Sequence, residues 1–184
     1  MIEARTSQTH PLQIAEVRAS PQQGYVGITF CPGKHDARAA TGAWARDLAT
    51  DLDVIVQWGA RLVLTLVEER ELRALQVPHL GREVQRHGIE WRHLPIADYS
   101  IPSDSFEEQW QTEGREIRAL LKGGSNVLVH CRGGLGRAGM IAARLLVELG
   151  VAPDEAIQQV RNVRSGAIET LPQMEFIRRI VAVP

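Results

Sequence analysis

Short apolar runs alternate along the chain with segments in which apolar side chains recur every three or four residues. The apolar runs are typical of strands, and the longest of them resemble strands buried on both faces of a parallel sheet. The segments with three-to-four-residue spacing are typical of helices that pack one face on a core. The pattern predicts strands at residues 12–19, 25–30, 62–67, 89–96 and 126–131.

Helical spacing predicts one helix over residues 36–58, in which Trp44, Leu48 and Ile55 share a face and Gly59 supplies the stop. Later in the chain, prolines at first-turn positions and glycines at stop positions indicate the ends of further helices. These helices are predicted over residues 68–75, 79–87, 104–123, 137–149, 153–164 and 172–181.

This order of elements predicts an α/β fold with a central, mostly parallel sheet flanked by helices on both faces. The first two strands are joined by a short turn, so we expect this hairpin to add antiparallel pairing at one edge. The length fits a single domain over residues 1–184, with 1–24 as an N-terminal extension and edge hairpin and 25–184 as the core. Ligands of such sheets bind beyond the carboxyl ends of the strands.

The composition is that of an ordinary globular chain, with 44% apolar and 23% charged residues. A formal net charge of −1 gives no support for binding to nucleic acid or to an anionic membrane. No stretch has the hydropathy of a membrane span, and the first residues lack the apolar core of a signal peptide. We therefore expect a cytoplasmic protein with neither nucleic acid nor membrane as a partner.

The stretch VLVHCRGGLGRAG, residues 127–139, places Cys131 at the end of an apolar run and Arg137 where a helix is predicted to begin. Glycines between them let the backbone curl so that successive N–H groups point at one anion. The helix N-terminus adds free N–H groups and the positive end of its dipole. The same field favours the thiolate form of Cys131, and the planar guanidinium of Arg137 suits two phosphate oxygens at once.

Taken singly, these residues have ordinary interpretations, with Cys131 as a small buried side chain and the glycines as a strand-to-helix turn. Their combination within a few residues favours the binding of a phosphate ester and nucleophilic attack on it. The chain has two cysteines, too few for a disulfide framework. Cys31 is expected to be a structural thiol; the alternative is a partner that protects Cys131 by forming a disulfide.

The loop resembles the signature of the cysteine-dependent protein phosphatases, tyrosine-specific and dual-specificity alike, at His130, Cys131, Gly134 and Arg137. A more specific resemblance is to the cyclin-dependent-kinase-associated phosphatase group of the dual-specificity type. The segments that carry it are HCRGGLGRAG from residue 130, LPIAD at 94–98, RSGAIETLPQ at 164–173, FCPGK from residue 30 and ELRALQVPHLG from residue 71. The resemblance implies a protein-tyrosine-phosphatase-like fold and hydrolysis of phosphate esters on proteins.

The resemblance also implies roles for individual residues. Cys131 would be the nucleophile, His130 would hold the loop through hydrogen bonds, and Gln173 aligns with a glutamine that positions water. For Gln173, an exposed polar residue early in a helix is an open alternative. The loop that would bind phosphate, or sulfate in its place, consists of Arg132, Gly133, Gly134, Leu135, Gly136 and Arg137. No metal and no cofactor are expected, and the histidines show no ligand spacing.

A leaving alkoxide or phenoxide needs a proton, which a carboxylic acid above the loop can supply. Asp98 is the candidate, because it follows a predicted strand, lies in a loop bounded by Pro95 and Pro102, and matches the general-acid position of the family. The alternative is an aspartate that merely forms a turn. Asp104 is a rival for the acid, but its position suits the N-cap of a helix better.

One position departs from the family pattern. Relatives usually carry Ser or Thr directly after the signature arginine, where the hydroxyl donates to the cysteine sulfur; here that position is Ala138. We therefore expect slow breakdown of a phosphocysteine intermediate. Residues 132–135 supply a single cation, and no asparagine-arginine-tyrosine motif deepens the pocket, so a shallow, dual-specificity site is predicted.

Two alternatives to a protein phosphatase remain at this point. A non-catalytic or very slow phosphoprotein-binding module would keep the loop and Arg137, and Ala138 is compatible with it. A sulfur- or arsenate-handling enzyme could also use a cysteine loop, although arsenate reductases need further redox cysteines and Cys31 alone is available. The expected partner is a phosphorylated protein.

Overall fold

Five strands form the central sheet of the computed structural model, which describes residues 3–184. Within these residues the strands are β1 (Ala15–Val17), β2 (Val26–Thr29), β3 (His35–Asp36), β4 (Trp44–Ala45), β5 (Ala60–Thr65), β6 (Glu90–His93) and β7 (Asn126–His130). The helices are α1 (Leu48–Trp58), α2 (Glu69–Ala74), α3 (Leu80–Arg86), α4 (Asp104–Lys122), α5 (Gly136–Glu148), α6 (Pro153–Val163) and α7 (Leu171–Arg178). None of the helices in the described chain is long and apolar enough to cross a bilayer.

The sheet has the order β1-β2-β7-β5-β6. The strands β2, β7, β5 and β6 run parallel, and β1 pairs antiparallel with β2 at one edge. The predicted α/β class, with its mostly parallel sheet and its antiparallel edge hairpin, is therefore confirmed. The strand that leads to Cys131, β7, lies in the middle of the sheet between β2 and β5.

Burial along β7 shows that helices cover both faces of the sheet. Its residues from Val127 to His130 are all buried. Successive side chains of a strand point to opposite faces, so continuous burial requires cover on both sides. The helices α4 and α5 pack against β7, and α1 packs against β5. The site at the end of β7 thus lies at the end of a central strand that is covered on both faces.

One predicted helix is wrong in its first half. Residues 36–58 include the last residue of β3 and the whole of β4. The helix α1 begins only after its N-cap residue Asp47. Trp44 fits the helical spacing by coincidence. It pairs with Asp36 in the strand ladder and packs against Phe30, with ring centroids 5.1 Å apart. Tertiary packing determines the secondary structure of this segment, and the spacing of apolar residues alone does not predict such packing.

The cap of α4 lies one residue earlier than predicted. Ser103 is the N-cap residue, and its hydroxyl oxygen accepts a hydrogen bond of 3.2 Å from the amide of Phe106. Asp104 is the first residue of the helix, where its negative charge is stabilised by the positive end of the helix dipole. Ser and Asp are both favoured at the N-cap position, and here the backbone geometry makes Ser103 the cap.

A buried charged cluster joins α4 to the end of α5. The carboxylate of Glu148 accepts hydrogen bonds from Trp110 Nε1 at 2.9 Å, from Arg144 Nε at 2.8 Å and from Arg118. Arg144 also binds Glu107 on α4, at 2.6 and 2.8 Å. A carboxylate so buried would be costly without these donors. The cluster therefore fixes α5, the helix that begins at the loop, against its neighbour.

Replacing Glu148 with alanine is expected to lower the free energy of unfolding by about 3–5 kcal/mol, because two buried guanidinium groups lose a shared carboxylate. Urea unfolding followed by tryptophan fluorescence measures this loss. Glu69→Ala, which breaks an exposed pair with Arg73, is the matched control and should have a much smaller effect. Equal losses in the two variants would contradict the proposed importance of the cluster.

Candidate active site

The loop between β7 and α5 is a close-packed turn that requires glycine. Gly134 has a φ of +68°, and a Cβ atom there would lie 2.5 Å from the amide nitrogen of Phe30 and 2.6 Å from the carbonyl oxygen of Thr29. A side chain at this position would therefore clash with the backbone of β2 as well as strain the turn. Cys131 begins this loop and is itself buried, with 3% of its surface exposed.

Surrounding groups bind the loop carbonyls from outside. The guanidinium of Arg164 donates to the carbonyl oxygens of Gly134 and Gly133, each at 2.9 Å. The ammonium group of Lys34 and the amide of Cys31 donate to the carbonyl oxygen of Arg132, at 3.1 and 3.3 Å. Since the N–H that follows a carbonyl in a trans peptide points the opposite way, this arrangement turns loop amides toward the interior of the loop. Such a ring of amides binds an anion.

Arg137 is buried and fixed by a bidentate ion pair. Its two terminal nitrogens donate to the carboxylate oxygens of Glu71 at 2.8 and 2.9 Å, and one of them also donates to the carbonyl oxygen of Ile96 at 2.9 Å. Burial alone would lower the pKa of Arg137, but the hydrogen bonds and charge of Glu71 raise it above its usual value. Its Nε–H has no partner among the described residues, so a donor remains for a ligand.

Asp98 lies next to this arginine. One of its carboxylate oxygens is 3.1 Å from a terminal nitrogen of Arg137, and 44% of its side chain is exposed. The same oxygen accepts a hydrogen bond of 3.0 Å from the amide of Tyr99, a residue with a positive φ of 57°. Asp98, Cys131 and Arg137 line one cavity, of about 740 Å³. The loop that carries the carboxylate is thus folded over the phosphate-binding loop.

His130 lies directly beneath the nucleophile, at the end of β7, and is fully buried. Trp91 Nε1 donates to the hydroxyl oxygen of Thr65 at 2.9 Å, and that hydroxyl lies 2.7 Å from His130 Nε2. The hydroxyl proton is therefore free to be donated to Nε2, with Nδ1–H facing the carbonyl oxygen of Cys131 at 3.2 Å. Burial lowers the pKa of His130 to about 4, so the imidazole is neutral at pH 7 and acts as a hydrogen-bonding support.

Gln173 is buried, so the alternative of an exposed polar residue is wrong. Its side-chain amide donates to the carbonyl oxygen of Ser100 at 3.2 Å, and its side-chain oxygen accepts from the amides of Glu169 and Thr170 at 3.1 and 3.3 Å. A Cβ atom on Gly136 would lie 3.2 Å from that oxygen. Gln173 thus joins the Asp98 loop, the start of α7 and the phosphate-binding loop, without lining the cavity itself.

Cys31 lies beside the loop but is shielded. Its amide donates to the carbonyl oxygen of Arg132 at 3.3 Å, and its thiol is buried near the carbonyl of Pro32. Burial raises the pKa of the Cys31 thiol far above its usual value, so the group stays protonated at neutral pH. A protonated thiol is a poor nucleophile, which suits the structural role expected for it.

Several residues that support the site received no role from sequence reasoning. Most of them lie in or near a segment that carries the family resemblance, yet a single sequence does not show which member of a segment makes a contact. The residues are Lys34, Asp36, Thr65, Glu71, Trp91, Arg164 and Glu169. Of these, Glu71 contributes most to the geometry, because it fixes Arg137.

Comparisons with known proteins show the family to which the chain is similar. Residues 40–151 match the family model described as "Polymorphic toxin system, DSP-PTPase phosphatase". Cyclin-dependent kinase inhibitor 3 of Rattus norvegicus is 32% identical over 169 residues, which cover 90% of this chain and 74% of that protein. Protein tyrosine phosphatase type IVA 3 of Mus musculus is 31% identical over 138 residues, covering 72% of this chain and 70% of the relative.

Solved structures give the same result. A crystal structure of kinase associated phosphatase, with its catalytic-site cysteine replaced by serine, matches with a TM-score of 0.78 and 28% identity over 91% of this chain and 92% of the other. The active form of Tk-PTP matches with a TM-score of 0.66 and 30% identity, covering 90% and 95% of the two chains.

The fold and the loop define a cysteine-dependent phosphatase. By the extent of these matches, the chain belongs to the protein phosphatases of the dual-specificity type, and the resemblance to the kinase-associated group is confirmed. It is a protein phosphatase.

The buried His130 is expected to make stability depend on pH. Its pKa is about 4 in the folded protein, against an ordinary value of 6.5, so the unfolded chain binds more protons between these values. The free energy of unfolding should therefore fall as pH drops through this window, with up to about 3 kcal/mol of the loss due to His130.

Urea unfolding at a series of pH values measures this dependence in the parent protein and in His130→Gln. The lowered pKa values of Asp36 and Glu71 also reduce stability in acid, but they do so in both proteins. The variant should show the shallower slope between pH 4 and 6.5. Equal slopes would contradict the neutral, buried imidazole.

Proposed function

We propose that the enzyme hydrolyses phosphomonoesters of proteins in two steps through a phosphocysteine. In the first step the Cys131 thiolate attacks phosphorus, the bond to the leaving oxygen breaks, and Asp98 gives that oxygen its proton. In the second step a water molecule attacks phosphorus and gives a proton to Asp98. The phosphorus–sulfur bond breaks, and the thiolate of Cys131 is restored with release of inorganic phosphate.

The observation that carries this proposal is the meeting of three groups in one cavity. Cys131, Arg137 and Asp98 all line it, and the Asp98 carboxylate lies 3.1 Å from the Arg137 guanidinium. The guanidinium and the inward-facing loop amides are positioned to stabilise the charge that develops on the non-bridging oxygens. All the proposed roles belong to side chains and amides of this chain, so the mechanism needs neither metal nor cofactor.

We further propose a broad substrate range, with phosphotyrosine and phosphoserine or phosphothreonine all accepted. The cavity supports this, since its walls come from the N-terminal segment, the strands β3 and β4 and the Asp98 loop, and it extends well beyond the phosphate-binding loop. A cytoplasmic location is proposed from the chemistry of the nucleophile, because a thiolate needs a reducing compartment to persist.

The proposed mechanism is tested with p-nitrophenyl phosphate and with phosphopeptides, using the parent enzyme beside Cys131→Ser. The serine variant should lose turnover while still binding phosphopeptide, and mass spectrometry of quenched parent enzyme should detect phosphate on Cys131. Cys31→Ser is the matched control and should still form the phosphate adduct on Cys131. Absence of turnover and of adduct in the parent, together with tight phosphopeptide binding, would favour the binding module.

Asp98→Asn completes this experiment, since it keeps the shape of the acid and removes its proton. General acid catalysis contributes about 10²–10⁴ in rate, so phosphopeptide hydrolysis should fall by a factor in this range. The rate at which Asp98→Asn forms the phosphate adduct on Cys131 should fall much less with p-nitrophenyl phosphate, whose leaving group can depart without protonation.

Replacing Ala138 with serine is expected to raise steady-state turnover about ten- to a hundredfold. The new hydroxyl would donate to the departing sulfur, and a hydrogen bond to a charged group is worth about 1.5–3 kcal/mol. The measurement is turnover together with the fraction of enzyme that carries phosphate, which should fall. Ala142→Ser, buried one turn later in α5, is the matched control. An unchanged or lower rate in Ala138→Ser would contradict a slow second step.

A further inference from the structure

The cavity continues past the phosphate-binding loop into a region that the proposed mechanism does not use. Its far wall is formed by cavity-lining residues of two segments. One is the N-terminal segment between residues 5 and 13, and the other is the region of β3 and β4 between residues 34 and 44. Phe30 and Trp44 form the base of this wall, with ring centroids 5.1 Å apart. A patch of this size beside a reaction centre can contact parts of a substrate other than the reacting phosphate.

Lys34 is a buried cation in this wall without a carboxylate partner. It is only 3% exposed, yet it lines the cavity. Its ammonium group donates to the carbonyl oxygen of Arg132 at 3.1 Å and lies over the rings of Phe30 and Trp44, at 4.7 and 5.2 Å. Among the described residues no carboxylate lies within 4 Å of it, and burial lowers its pKa. A buried charge without a counter-ion is costly unless a ligand supplies one.

Two further cations line the same part of the cavity. Arg5 has its guanidinium 5.4 Å from the centre of the Trp44 ring, the aromatic side chain that Lys34 also contacts, and it lines the same cavity. Arg38 is exposed on the turn between β3 and β4. Neither forms an ion pair within the described chain. By contrast, Asp36, the acidic residue of this region, is already bound to Arg132 at 2.9 Å.

The charge of the cavity differs from that of the whole protein. The chain carries a formal net charge of −1. The cavity is lined by six Lys and Arg residues against three Asp and Glu residues, so its lining carries a positive excess. Of these cations, Arg137 is paired with Glu71 and Asp98, and Arg164 donates to loop carbonyls. The excess is therefore concentrated on the wall that holds Lys34, and charge complementarity indicates an anionic ligand there.

We propose that Lys34, Arg5 and Arg38, set against Phe30 and Trp44, form a second anion subsite for phosphopeptides. It binds an anionic side chain, a phosphate or a carboxylate, that flanks the phosphorylated residue under attack. The subsite rests on the proposed function, because the reacting phosphate must occupy the loop at Cys131 for the flanking anion to reach this wall. It makes the enzyme prefer acidic or multiply phosphorylated segments over neutral ones.

The test measures peptide binding to Cys131→Ser by calorimetry, so that it does not depend on turnover. Three phosphotyrosine peptides are compared, with alanine, glutamate or a second phosphorylated residue at successive flanking positions. The peptides with a second anion should bind about tenfold more tightly than the alanine peptide, as one charge-assisted hydrogen bond provides. Comparison of the glutamate and phosphate peptides distinguishes the two sources of the anion.

The double substitution Arg5→Gln and Arg38→Gln, made in the same Cys131→Ser background, should bring the affinities of the three peptides together. Arg115→Gln with Arg179→Gln is the matched control, since it removes two exposed arginines outside the cavity lining and should keep the preference. Circular dichroism and thermal unfolding establish that the variants remain folded.

Equal affinities for neutral and acidic peptides in the parent would overturn the subsite, as would a preference that survives in Arg5→Gln with Arg38→Gln. A preference for anionic vesicles over every peptide would overturn it as well, in favour of a lipid ligand. Failure of the proposed function has a different signature, namely no turnover and no phosphate adduct in the enzyme with intact Cys131.

Discussion

The buried ion pair between Arg137 and Glu71 is the interaction on which the site depends. It joins the first turn of α5 to α2, two helices that follow different strands of the sheet. Because both carboxylate oxygens of Glu71 are used, the guanidinium plane has one orientation. One terminal nitrogen also donates to the carbonyl oxygen of Ile96, and the other lies beside the carboxylate of Asp98. A lysine could not make these contacts together, since it lacks the planar fork of donors.

The support of this pair extends outward through groups to which the proposed mechanism gives no part in the reaction itself. Arg164 holds two loop carbonyls, and Gln173 holds the backbone of the Asp98 loop at Ser100. The Glu148 cluster fixes the far end of α5, the helix whose first turn carries Arg137. Preorganisation of this kind is what lets dipoles stabilise a transition state without rearranging during the reaction.

The sequence was sufficient for the sheet and for the loop, because both depend on strong local signals. Apolar runs located β5 and β7, and the spacing of Cys131, the glycines and Arg137 identified the phosphate-binding loop. Local signals failed where distant residues decide the outcome. The strands β3 and β4 form because Trp44 packs on Phe30, and Glu71 acquires its importance from an arginine that is far away in the chain. Asp98 is an intermediate case. Its local sequence is compatible with a general acid and with a turn-forming residue, and only the family resemblance favoured the acid.

The hydrogen bonds from Trp91 through Thr65 to His130 connect the edge strand β6 to the residue beneath the nucleophile. An edge strand is ordinarily the part of a sheet that tolerates change most readily, yet here one of its side chains helps to select the tautomer of a buried imidazole. The effect of a substitution at Trp91 in β6 would therefore be transmitted through these hydrogen bonds to His130 and the loop. The indole of Trp91 is also a chromophore that the fold places within two hydrogen bonds of His130, the residue that precedes the nucleophile.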